Sequence, residues 1–98
     1  MSAREQILET LHRLLPELRE KMGVKELYVF GSVARGEDTA ASDVNVLVEV
    51  EEGATLFTLA RIKRRLEGEL RRQVDLGTTE GLSRAARERI IKERVRVA

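Results

Sequence analysis

The chain has no cysteine, no tryptophan, one proline and three aromatic residues in 98 positions. The absence of cysteine removes disulfides and thiolate metal sites, and points away from an oxidising compartment. No apolar run approaches the roughly 18 residues needed to span a bilayer, and no charged-then-apolar leader opens the sequence. A soluble, cytoplasmic protein is the expectation. An excess of one charge is also missing: 36% of residues are charged, yet the net charge is +1. That balance disfavours a membrane-surface protein and an electrostatic nucleic-acid binder. The basic run Arg61, Lys63, Arg64, Arg65, Arg71, Arg72 is broken by Glu67 and Glu69 and has no interleaved aromatics for base stacking. It reads as a solvated helix face. The only histidine, His12, lies off the apolar stripe of its segment and reads as an incidental surface residue.

Aspartate is scarce as well. Of 17 acidic residues only Asp38, Asp43 and Asp75 are aspartates. Two of these fall in segments that otherwise read as β-strands, where Asp is depleted, so each needs a particular reason to be there.

What is present is one domain's worth of patterned sequence, 42% apolar over residues 1–98. Ser2 and Glu5 form a capping-box pattern, followed by Ile7, Leu8, Leu11, Leu14, Leu15, Leu18 and Met22 at helical spacing. Pro16 removes a helix donor, so a kink or two short helices meeting near Leu15 are expected, with Gly23 ending the second. "KELYVF" reads as a first strand over about 25–30, and "GSVARGEDTAAS" as loop with at most one helical turn. In "DVNVLVEV" Val44, Val46, Val48 and Val50 form one face, and Asp43, Asn45, Leu47 and Glu49 the other. From Thr55, Leu56, Leu59, Ile62, Leu66 and Leu70 repeat at helical spacing through to Arg72; "QVDLG" is a third strand bearing Asp75. Ser83 caps a last helix through about Glu93, and "VRV" offers a short fourth strand. The order implies an α/β (α+β) fold, a small mixed β-sheet covered by helices.

Within this frame two chemical features stand out. Gly31-Ser32 directly follows a strand, where glycine lets a phosphate approach the backbone, serine adds a hydroxyl donor, and a helical turn through Arg35 aims its positive end at the anion. If the second and third strands are neighbours, Asp43, Asn45 and Asp75 stand on one face as oxygen ligands for Mg2+ or Mn2+. Two such ions held about 3.5–4 Å apart would activate an attacking hydroxyl and bind a leaving pyrophosphate. Glu49 shares that face but lies about 20 Å from Asp43 by strand rise. Taken alone, Asp43 could equally cap a strand end or pair with Arg35, and Gly31-Ser32 could be ordinary turn residues.

The stretch "GSVARGEDTAASDVNVLVEV" resembles the signature of the polymerase-β-type nucleotidyltransferase superfamily: Gly-Ser, a linker, Asp-x-Asp on a strand, and a third acidic residue on a later strand. It is most similar to the minimal nucleotidyltransferases, with G-S-x-A-R-G followed by S-D-x-D and aliphatic residues. "LPELREKMGVKELYVFGS" and "VDLGTTEGLSRAARERIIKE" extend the resemblance over nearly the whole chain. The resemblance implies a polymerase-β-like core and transfer of an NMP unit, AMP from ATP in the first instance, to an acceptor hydroxyl with Mg2+ or Mn2+. It assigns Gly31 and Ser32 to the triphosphate, Asp43 to metal, and Asp75 to the third carboxylate and base. Arg35 matches the motif arginine, in phosphate contact or a local ion pair. Asn45 departs from the pattern, standing where the family has its second metal-binding aspartate. It keeps an oxygen donor but removes one negative charge, which leaves a catalytically impaired nucleotide- or partner-binding module as the alternative. The resemblance also implies pairing with a small helical HEPN-type protein as the antitoxin of a toxin-antitoxin pair. Self-association is left open.

Overall fold

The computed structural model describes residues 2–98. Helix α1 spans Ala3–Met22, and the Ser2 side chain accepts from the Glu5 N–H at its start. It runs unbroken through Pro16, against the expectation of two short helices. Proline deletes the N–H that would have met the His12 carbonyl, but both residues are exposed, so water can serve that carbonyl. Ile7, Leu11, Leu14, Leu15 and Leu18 are buried along the opposite stripe and hold the helix to the core. Gly23, at φ 67°, stops it, as expected.

Strand β1 (Val24–Phe30) leads into the single turn α2 (Ser32–Arg35), and β2 (Val44–Val50) follows after a loop. Helix α3 (Leu56–Leu70), capped by Thr55, precedes β3 (Val74–Thr78); α4 (Arg84–Glu93), capped by Ser83, precedes β4 (Val95–Arg96). The sheet order is β3-β2-β1-β4, with β1 antiparallel to β2 and β4, and β2 parallel to β3. This is the mixed sheet expected from the sequence. The even valines Val44, Val46 and Val48 are fully buried with Leu27, Val29 and Val74 beneath α1 and α3, which add Leu11, Leu18, Ile62 and Leu66 to the same core.

The opposite face is less polar than the alternation implied. Leu47 is fully buried there, outside the main core cluster; Ile90 of α4 is likewise buried outside that cluster. On β2 the polar positions of that face, Asn45 and Glu49, stand toward the two ends of the strand. No helix among the described residues is long and apolar enough to cross a membrane.

Candidate active site at the end of the parallel strand pair

Strand β1 ends at Phe30, and Gly31 turns the chain at φ 75°, ψ −150°, a conformation essentially reserved for glycine. A Cβ at this position would lie 2.5 Å from Asn45 Nδ2 and 3.3 Å from Asn45 Cγ. Glycine is therefore required twice, by the backbone angle and by the asparagine packed against it. The turn α2 follows at once, with fully buried Val33 as its anchor. Gly36, at φ 72°, closes it through bonds to the Ser32 and Val33 carbonyls. The opening of such a turn leaves N–H groups without partners inside it. Here those groups belong to Ser32 and its neighbours, half-buried beside the strand ends.

The parallel pairing of β2 and β3 sets Asn45 opposite Asp75, while β1 sets Phe30 opposite Asn45 on the other side. Paired positions on neighbouring strands project to the same face, about 5 Å apart. Asp43 lies immediately before β2, two residues from Asn45. Asp43 and Asp75 are exposed and Asn45 is half-buried between them, with the Gly31 turn alongside. The condition set by the sequence, that the second and third strands be neighbours, is thus met, and Gly31, Asn45 and Asp75 are brought together.

A carboxylate that no local pattern singles out completes the turn. Gly31 N–H donates to Glu93 Oε1 at 3.1 Å, and Arg35 Nη1 donates to Glu93 Oε2 at 3.0 Å. Arg35 Nε also donates to Glu37 at 3.2 Å. The two carboxylates, Glu37 foremost and then Glu93, push the Arg35 guanidinium's pKa further up. Of the two roles open to Arg35 from sequence, the ion pair is the one occupied in this geometry.

Comparison with known proteins identifies the family. The model of the family described as the nucleotidyltransferase domain matches residues 11–98. The chain belongs to that family. The Methanocaldococcus jannaschii protein MJ0435, whose name proposes a protein adenylyltransferase, is 40% identical over 91 residues, 93% of this chain and 97% of that protein. The protein adenylyltransferase MntA of Thermococcus cleftensis is 38% identical over 93 residues, covering 95% and 94%. A solved structure titled as a proposed minimal nucleotidyltransferase superposes with TM-score 0.81 at 38% identity, over 97% of this chain and 95% of that one. At 14% identity, a chain of a solved complex titled as a tri-AMPylated Shewanella oneidensis HEPN toxin with MNT antitoxin shares the fold, with TM-score 0.66 over 93% of this chain and 71% of that one.

Asp43, Asn45 and Asp75 offer two carboxylates and one amide oxygen at this end of the strand pair. These are hard oxygen ligands of the kind Mg2+ and Mn2+ take, so the residues present fit a divalent cation, with one charge fewer than three carboxylates would supply. No cluster of three or more His, Cys, Asp or Glu side chains that could hold a metal ion forms among the described residues. With Asn45 Nδ2 lying toward Gly31, its Oδ1 is the atom free to act as a ligand. The concavity of about 350 Å³ lined by Met22, Arg61, Arg64, Arg65 and Gly68 includes none of these residues. The candidate site is an open surface at the strand ends.

Proposed function

We propose that this nucleotidyltransferase transfers AMP from ATP to a hydroxyl group on a partner protein, and that the partner is a small helical HEPN-type toxin for which it serves as antitoxin. The observation that carries the proposal is the register of Asn45 opposite Asp75, with Asp43 immediately before the same strand and the Gly31 turn beside Asn45. In this reading the Ser32 hydroxyl and the turn's N–H groups bind the triphosphate and orient its α-phosphorus toward Asp75. The acceptor hydroxyl loses its proton to the Asp75 carboxylate, its oxygen bonds to the α-phosphorus, and the bond to the β-phosphate oxygen breaks, releasing pyrophosphate. When bound by Asp43, Asp75 and the Asn45 amide oxygen, Mg2+ or Mn2+ supplies activation of the acceptor oxygen and neutralisation of the departing pyrophosphate.

Exposure of both aspartates suits an acceptor presented on another protein's surface. Leu56 and Phe57, each 83% exposed at the head of α3, offer apolar area to such a partner. The adenylyltransferase names of the two relatives support AMP as the transferred unit. The Shewanella oneidensis complex supports a HEPN protein as its recipient.

A second reading, a binding module with slow or no transfer, is favoured by one observation, the amide at position 45. Incubation with ATP labelled at the α-phosphate, Mn2+ or Mg2+ and a co-expressed helical partner tests both. Label on a partner hydroxyl is expected, and Ser32→Ala should weaken ATP binding by roughly 1.5–3 kcal/mol, the worth of a hydrogen bond to a charged group. An unlabelled partner that is nonetheless bound and held inactive would leave the binding module as the function.

A further inference from the structure

Asp38 has no part in the chemistry above, and neither has Arg72 at the α3–β3 junction, yet the two are joined. Arg72 Nη1 donates to Asp38 Oδ2 at 3.0 Å, the side chains being 15% and 5% exposed. Arg72 Nη2 donates to the carbonyl oxygens of Thr39 at 2.8 Å and Ser42 at 2.6 Å. Ser42 closes the loop on itself, its N–H donating to the Thr39 carbonyl at 3.0 Å and its Oγ accepting from the Thr39 N–H at 3.0 Å. The apolar side chains of segment 36–43 are Ala40 and Ala41, both exposed, so no packing holds this loop. The guanidinium does. Its fit is imperfect, since Arg72 Nε is buried with no hydrogen-bond partner, and the side chain is therefore held inward by its other contacts.

The placement of these bonds matters more than their number. Arg72 grips the carbonyl of Ser42, immediately before Asp43, while the carbonyl of Gln73 accepts the N–H of Val44, immediately after it, at 2.9 Å. Two successive residues thus bracket Asp43. Two positions beyond Gln73, in β3, stands Asp75. One short segment, 72–75, both delivers one carboxylate and fixes the backbone of the other.

We propose that Arg72 is the positioning residue of the divalent-cation site, holding the 38–42 loop so that Asp43 faces Asp75; this rests on the reading of those carboxylates as metal ligands. Lysine cannot replace it. A single ammonium lacks the planar fork that serves one carboxylate and two carbonyls at once. With that fork gone, Asp38 is left desolvated and under-paired, and the loop that carries it is drawn toward water.

The test compares Mn2+ binding, followed by electron paramagnetic resonance, in the natural protein, Asp43→Ala and Arg72→Lys, with thermal melting to confirm folding. Arg72→Lys should lower Mn2+ affinity by about tenfold or more, the scale of losing a group that orients a metal ligand. In metal-free protein it should also speed amide hydrogen exchange over 39–44 while leaving β1 protected. Asp43→Ala should abolish binding. Loss in Asp43→Ala with unchanged Mn2+ affinity in folded Arg72→Lys would overturn the positioning role and leave the metal site standing. Unchanged binding in Asp43→Ala would remove the metal site, and this inference with it. If Arg72→Lys does not fold, Asp38→Asn, which removes only the charged acceptor, should show a smaller loss in the same direction; unchanged affinity there overturns the role equally.

Discussion

Asn45 is held from three sides, by Phe30 across β1, by Asp75 across β3, and by the missing Cβ of Gly31. Asn45→Asp is nearly isosteric, so its effect is one of charge. Unit charges 4 Å apart interact by about 1 kcal/mol even in bulk water, and a divalent ion doubles that. The substitution should therefore raise Mn2+ affinity by about tenfold or more, and speed transfer of labelled AMP if the natural asparagine is what slows it. Without metal the variant should melt earlier than the natural protein, because three carboxylates then face one another. If neither metal affinity nor transfer responds, Asp43, residue 45 and Asp75 do not form a metal site. Most of this site could be read in the sequence, because Gly31, Ser32, Asp43 and Asn45 lie within 15 positions of one another and period-2 alternation alone places the last two on one face. Glu93 and Arg72 could not. Their contacts reach across 62 and 30–34 residues, and no local pattern encodes such a reach. Arg72 was read as part of a solvated face because charge runs usually are; its folded-in geometry corrects that reading.

At the scale of elements, hydropathy periodicity located α1, α3 and β2, while the single turn α2 lay in a segment that reads as loop; the departures in the long helices occur where one backbone position overrules the pattern. Pro16 was expected to break α1 and did not, since the buried leucines on either side outweigh one lost bond at the exposed surface. Helix α3 was expected to reach Arg72 and ends at Leu70, with Arg71 as its cap at φ 55°, ψ 37°. Among the described residues Arg71 is the one non-glycine with positive φ. Left-handed backbone costs an ordinary L-residue roughly 1–2 kcal/mol, and glycine is the usual occupant of such a cap. The Arg71 side chain is exposed and its N–H bond to the Glu67 carbonyl, at 2.8 Å, belongs to the backbone, so little is lost with the side chain. Arg71→Gly should stabilise the fold by about 0.5–1 kcal/mol after the added entropy of the unfolded chain is subtracted. A thermal melt rising by roughly 2–6 °C is the expected reading. An unchanged or lower melting temperature would mean that the arginine makes a compensating contribution here.

Over the whole molecule, Glu17 and Glu26 tie distant parts of the chain together through arginines, and Glu69 supports one of those arginines from within α3. Arg65 of α3 donates from Nε to Glu17 of α1 at 2.7 Å and from Nη1 to Glu69 at 2.8 Å; Arg96 of β4 donates from Nε to Glu26 of β1 at 2.7 Å. Hydrogen bonding to Arg65 lowers the pKa of Glu17 and of Glu69, and hydrogen bonding to Arg96 lowers that of Glu26. In each the desolvation of the carboxylate works in the opposite sense and is outweighed. In the unfolded chain these groups return to the ordinary glutamate value of about 4.3. Folded carboxylates with depressed pKa bind fewer protons than unfolded ones, so stability rises with pH through this range. Their contribution is complete above the ordinary value and drains away as the pH falls through it toward the lower folded values. Arg65 is pushed further up by Glu17 and then Glu69 and stays charged throughout, so the window belongs to the glutamates. The pairs are solvent-accessible, and salt should shrink the effect. The decisive comparison is urea unfolding of the natural protein and Arg65→Met at pH 7, 5, 4 and 3, at low and high salt. Any stability gap at pH 7 that derives from Glu17 and Glu69 should close between pH 5 and 3 and be narrower in high salt. A gap that stays constant across pH would assign the role of Arg65 to packing of its side-chain stem between α1 and α3 instead of to its charge.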